Sequence, residues 1–106
     1  MNLSQNFWSF GKGPVEIIIM AGIHGNEKAG VEAIKEIVSS HYVKNLKKNV
    51  VFMLGNLIAL EKNVRYLESD LNREFGVYSN TLEGKRAKEI SNLVKNAKVL
   101  LDLHQT

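Results

Sequence analysis

Three short apolar runs separated by amphipathic segments limit this chain to a layered α/β arrangement. Val15 to Met20 (VEIIIM) is rich in β-branched residues and bounded by Gly13-Pro14 and Ala21-Gly22. It reads as a strand buried on both faces. Val50 to Leu54 (VVFML) and Val99 to Leu103 (VLLDL) repeat the pattern. From Glu27 to about Ser39, Ala29, Val31, Ala33, Ile34, Ile37 and Val38 fall largely on one helical face, with Lys28, Glu32, Lys35 and Glu36 opposite. That segment is expected to be a helix laid on a sheet, capped by Asn26. A second helix is expected from about Leu82 to Asn96, burying Ala87, Ile90, Leu93 and Val94, with Thr81 as its N-cap. The fold class is therefore α/β, a layered fold with a mainly parallel sheet flanked by helices. Right-handed crossovers put the loops after Met20, Leu54 and Leu103 at one end of the sheet, the end where ligands bind.

The connection from Gly55 to Asn80 shows no sustained periodicity, apart from a helical turn over Ala59 to Val64. Long ordered loops of this kind are usually functional. With 106 residues, 44% of them hydrophobic and 24% charged, the chain is expected to be a single domain over residues 1–106. It has no cysteine, so disulfides and thiolate ligands are excluded, and any metal must be held by imidazole and carboxylate. A reducing cytoplasm is the expected location. Met1 to Phe10 has no basic segment followed by an apolar run, and the apolar stretches have the length of strands, so no membrane association is expected. The net charge of +3 is spread among acids, with Lys44, Lys47 and Lys48 as the one local group and no stripe of interleaved aromatics. Nucleic acid is not an expected partner.

The chemistry gathers at the strand ends. Ala21-Gly22-Ile23-His24-Gly25-Asn26-Glu27 leads from the first strand into the first helix, and a histidine and a carboxylate three residues apart at such a turn can face one ion. Taken alone the spacing is weak, and a solvent-facing loop histidine is the simpler account. His104 follows the third strand and reaches the same sheet edge if the strands are parallel. Zinc in a hydrolytic site takes three protein ligands and leaves a fourth position open, which His24, Glu27 and His104 satisfy. His41 follows the first helix without an acidic partner at metal spacing and reads as a surface residue. Alternation along the third strand points Asp102 to the side of His104, where it either orients a ligand or bonds nearby backbone. In the long loop, Asn72-Arg73 suits a carboxylate, because the guanidinium fork makes two parallel hydrogen bonds to it. Arg65 has the chemistry to face a scissile carbonyl. Surface pairing of these arginines with Glu68, Asp70 or Glu74 is the simpler alternative.

Four blocks in order, AGIHGNE at Ala21 to Glu27, Gly55-Asn56 with Ala59, RYLESDLNREFG at Arg65 to Gly76, and DLH at Asp102 to His104, resemble the succinylglutamate desuccinylase/aspartoacylase family. The resemblance runs from about Val15 to Thr106 and extends to Glu83 and Arg86-Ala87. It implies a zinc carboxypeptidase-like domain, here partial, with the first apolar strand between the other two. It also implies a zinc-dependent hydrolase acting on the amide bond of a small-molecule N-acyl amino acid. By the same resemblance His24, Glu27 and His104 are the Zn2+ ligands, Arg65 polarises the scissile carbonyl, and Asn72 and Arg73 hold the amino-acid carboxylate. The family's catalytic glutamate, which takes the proton of the attacking water, lies well downstream of the DLH strand, and neither Glu83 nor Glu89 matches it. The expectation is thus a truncated N-terminal part of the catalytic domain, inactive by itself, with an uncovered sheet edge through which a homo-oligomer can form. The alternatives are a zinc carboxypeptidase or peptidoglycan-type amidase of the same fold, and a non-catalytic binding module.

Overall fold

The computed structural model describes residues 5–105. In chain order the elements are β1 (Phe7–Phe10), β2 (Lys12–Ala21), α1 (Ala29–Val38), a 3-10 turn (His41–Val43), β3 (Lys48–Leu54), α2 (Leu57–Lys62), α3 (Leu71–Glu74), α4 (Leu82–Val94) and β4 (Val99–Leu103). They form one four-stranded sheet in the order β1-β3-β2-β4. β2 pairs in parallel with both β3 and β4, and β1 adds antiparallel to the outer edge of β3. All three apolar runs are strands, and the first lies between the other two. β1 was not anticipated; Gly11, at φ +90°, reverses the chain after it and sends Lys12 into β2.

Each face of the sheet has its own core. Ile18 and Met20 of β2 and Val51 and Met53 of β3 pack with Leu71 of α3 and Ala87 and Ile90 of α4. On the opposite face Ala21, Phe52 and Leu54 meet Val31 and Ile34 of α1 and Leu60 of α2. The period of two along each strand delivers alternate side chains to the two layers, so runs of continuous hydrophobicity are required. β4 is the exception. It forms a sheet edge and all its residues are exposed, Leu101 by 48%.

Both expected helices form, with corrections at their ends. Thr81 caps α4, its hydroxyl accepting from Gly84 N at 2.9 Å, but Leu93 is 47% exposed rather than buried. Asn26 does not cap α1. The helix starts at Ala29, the residue before it, Lys28, makes no side-chain cap bond, and Ala29 N donates instead to Gln105 Oε1 at 3.2 Å. The tail of β4 thus supplies the cap. Among the described residues no helix is long and apolar enough to cross a membrane.

The connection after β3 carries two short helices and is held by three carboxylates, of which Glu83 and Glu74 are buried. Glu83 of α4 is 1% exposed and accepts from Asn56 Nδ2 (2.9 Å), Leu67 N (2.8 Å), Glu68 N (3.0 Å) and Ser69 N (3.2 Å). Burial raises the acid's pKa, but these four donors outweigh it and hold the carboxyl below the ordinary range. Glu74 accepts from Ser79 N at 3.0 Å and Ser79 Oγ at 2.7 Å, which closes the loop after α3. Glu68 Oε1 accepts from Leu82 N at 2.6 Å at the start of α4.

Truncating Ile18 to Ala should cost about 2–5 kcal/mol, against under about 1 kcal/mol for the exposed Leu101→Ala, read from urea midpoints. Stability should also fall in acid. Because the Glu83 pKa is lowered on folding, the unfolded chain binds the extra proton. The Glu83 contribution is complete above the unfolded-state value, about 4.3, and is lost as pH drops through the folded-state value. The urea midpoint of Glu83→Gln should therefore lie below that of the parent at neutral pH and vary less steeply in acid.

Candidate metal centre

The turn after β2 begins at Gly22, whose φ of +82° a side chain would strain. It then places Ile23 in the core and His24, only 5% exposed, at the sheet's carboxyl end. Gly25 follows where the chain passes against α2 and the segment beyond it. A Cβ there would stand 2.2 Å from the Ala59 carbonyl carbon and 2.4 Å from Val64 O. Gly25 N donates to Arg65 O at 3.1 Å, so the His24 turn and the Arg65 segment are joined backbone to backbone.

His24, Glu27 and His104 converge. Their ligand atoms lie within 4.8 Å of one another, and the two imidazole centroids are 5.6 Å apart. His24 Nδ1 is 2.6 Å from Glu27 Oε2, and His104 Nδ1 is 3.3 Å from Glu27 Oε1. The other nitrogen of each ring has its own carboxylate: Asp70 Oδ1 at 2.8 Å from His24 Nε2, and Asp102 Oδ2 at 2.9 Å from His104 Nε2. Gln105 N donates to Glu27 Oε1 at 2.7 Å, fastening the end of β4 to the turn after β2.

Charge is concentrated here. Burial raises the Glu27 and Asp70 pKa values, yet both lie below the usual range. For Glu27 the opposing causes are the Gln105 N–H and the two histidines; for Asp70 they are His24, Asn72 N and Arg65. Burial lowers the His104 pKa, but Asp102 and Glu27 reverse this and raise it. Three carboxylates, Glu27, Asp70 and Asp102, thus surround two imidazoles. The nearest guanidinium is that of Arg65, 55% exposed at 4.0 Å from Glu27 Oε2 and 3.9 Å from Asp70 Oδ2. Two imidazole nitrogens and a carboxylate oxygen facing one another, backed by further carboxylates, are a donor set for a divalent cation such as zinc.

Of the remaining sequence candidates, Asp102 and Arg65 reach this centre. Asp102 bonds His104 rather than backbone. Arg65 sits beside the cluster, whereas Asn72 and Arg73 are exposed in the first turn of α3. Of the three acids offered as surface partners for the arginines, Asp70 alone lies near one; Glu68 and Glu74 accept from backbone and serine instead. His41 is exposed and stacks on Tyr42, at 4.3 Å between centroids. Asp70 was not singled out from the sequence as a site residue. Its signal is that of an N-cap aspartate: Oδ1 caps α3 by accepting from Asn72 N at 3.0 Å, and the same oxygen reaches His24.

Comparison with known proteins gives a consistent picture. The profile of the Succinylglutamate desuccinylase/Aspartoacylase catalytic domain matches residues 14–106. A succinylglutamate desuccinylase of Photorhabdus laumondii is 42% identical over 89 residues, covering 78% of this chain and 27% of that protein. One from Yersinia pestis is 42% identical over 62 residues, covering 57% and 19%. The structure of succinylglutamate desuccinylase from Chromobacterium violaceum has a TM-score of 0.75 at 28% identity, over 88% of this chain and 34% of that one. The tripeptide-bound cell shape determinant Csd4 of Helicobacter pylori has a TM-score of 0.82 at 24% identity, over 96% and 27%, a likeness of fold. The chain therefore spans between about a fifth and a third of the length of these relatives. Its architecture is their zinc carboxypeptidase-like α/β fold. The profile match, which takes in β2 from Pro14 on, every later strand and the whole His24–Glu27–His104 cluster, shows that this chain belongs to the succinylglutamate desuccinylase/aspartoacylase family.

Proposed function

We propose that this chain is the metal-binding part of a zinc-dependent hydrolase that cleaves the amide bond of an N-acyl amino acid, with His24, Glu27 and His104 as ligands. The observation that carries the proposal is the convergence of these three side chains at the carboxyl end of the sheet, each histidine backed by its own carboxylate. Zinc held there supplies Lewis acidity toward the amide carbonyl and makes water a stronger acid. Asp70 and Asp102 fix the ring orientations of the two histidines. Arg65, at the exposed margin, donates to the carbonyl oxygen as it gains negative charge. Asn72 and Arg73 bind the substrate's carboxylate, so that the amide is presented in one orientation.

No residue of this chain is assigned as the general base. The relatives are about three to five times longer than the stretch they share with it, and the base belongs in this proposal to that further part of the catalytic domain. The 106-residue chain then binds zinc weakly and turns over little. Deacylation by this chain at rates usual for enzymes would refute that division of labour.

His24→Ala, Glu27→Ala and His104→Ala should each abolish Zn2+ binding, measured as zinc content in equilibrium dialysis against free Zn2+, while His41→Ala keeps it. Unchanged zinc content in His24→Ala would remove the ligand assignment. In a full-length protein carrying these residues, Arg65→Ala should lower kcat about 10²- to 10³-fold, the usual effect of removing an oxyanion donor. Arg73→Ala should act mainly on KM. Activity on peptides but not on N-acyl amino acids would move the substrate class to that of a carboxypeptidase.

A further inference from the structure

Glu83 lies behind the candidate centre, and nothing in the proposed chemistry uses it. Its Oε2 accepts from Asn56 Nδ2 and Leu67 N, and its Oε1 from Glu68 N and Ser69 N. These four donors belong to neutral groups, and three are successive backbone amides. Three amides converging on one carboxylate define the path of residues 67–69. That segment runs from just beyond Arg65 to Asp70, whose Oδ1 is 2.8 Å from His24 Nε2. Asn56 extends the link: its Oδ1 accepts from Ala59 N at 3.3 Å to cap α2, the helix that Gly25 packs against.

We propose that Glu83 is a positioning residue for the metal centre, its carboxylate setting the course of residues 67–69 and thereby the placement of Asp70 against His24. The proposal rests on His24, Glu27 and His104 being metal ligands. A carboxylate is required because both terminal atoms must accept. In glutamine one of them is an NH2 group, which would face two N–H donors. Aspartate keeps the charge but is one methylene short of the amides. A purely structural anchor would weaken the whole fold evenly; a positioning residue acts on the metal through Asp70.

The test is a double-mutant cycle on the 106-residue chain, with Zn2+ affinity read by competition against a chromophoric chelator and folding checked by circular dichroism. Glu83→Gln and Asp70→Asn should each weaken Zn2+ binding roughly 10- to 100-fold, the range for groups that orient metal ligands. In the Asp70→Asn background, Glu83→Gln should change the affinity by less than about threefold, because the path is already cut. A folded Glu83→Gln with parental affinity, an Asp70→Asn with parental affinity, or an equal loss in both backgrounds would overturn the proposal. If the parent chain binds no Zn2+, or binds it independently of His24, the ligand assignment fails instead. Should Glu83→Gln not fold, amide hydrogen exchange of the parent decides. Leu67, Glu68 and Ser69 should be protected and slow further on adding Zn2+, and exchange at unprotected rates in the zinc-loaded chain would overturn the proposal.

Discussion

The register of the central strand governs everything at the site. Ala21 of β2 stands level with Leu54 of β3 and with Leu103 of β4, so three strands end at one height. Because all three run the same way, the residues that follow each of them emerge together. Gly55 N then donates to Ala21 O and Asn56 N to Gly22 O, both at 2.8 Å, continuing the ladder past the strands. A shift of one residue in either pairing would send the alternating side chains to the wrong face of the sheet. It would also separate His24 from His104. The two hydrophobic cores fix that register by burying Ile18 and Met20 on one side and Ala21 on the other.

The electrostatics at the strand ends follow from this crowding. Carboxylates are brought into partial burial, which by itself disfavours their charge, and each is compensated by N–H donors or imidazoles. Glu83 and Glu74 show the same economy away from the centre, where backbone amides and serine do the compensating. Buried charge is therefore used in two ways. Behind the centre it shapes the course of residues 67–69 between α2 and α3; at the centre it gathers carboxylate oxygens that a divalent cation would satisfy.

Much of this was legible in the sequence because it depends on local pattern. The apolar runs specify β2, β3 and β4, and the strand-end placement of His24 and His104 brings them together once the order is parallel. What escaped depends on partners distant in sequence. β1 is only Phe7 to Phe10, and its place beside β3 is decided by pairing with Val50 to Met53, which no local signal carries. Asn26 has the chemistry of a cap, but Gln105 takes that role because the end of β4 crosses the start of α1. Leu93 belongs to the apolar stripe of α4 by period, yet it is the neighbouring Val94 that packs against the core, and Leu93 stays exposed. Asp70 does lie beside Arg65, the pairing its sequence neighbourhood suggests, but its contact with His24 depends on the loop folding back 46 residues along the chain.

The position of β4 bears on how the centre assembles. His24 and Glu27 sit on a turn packed against α2, while His104 rides on an edge strand with Val99, Leu100, Leu101 and Leu103 all substantially exposed. Such a strand is held by its ladder to β2 and by the Gln105 contacts more than by side-chain burial, and belongs to the least protected part of the molecule. A cation held by His104, His24 and Glu27 would then tie this edge strand to the inner strand β2. Part of its binding energy would go to suppressing local opening, so the free metal concentration would set the lifetime of the edge strand in the sheet as directly as it would set the occupancy of the site.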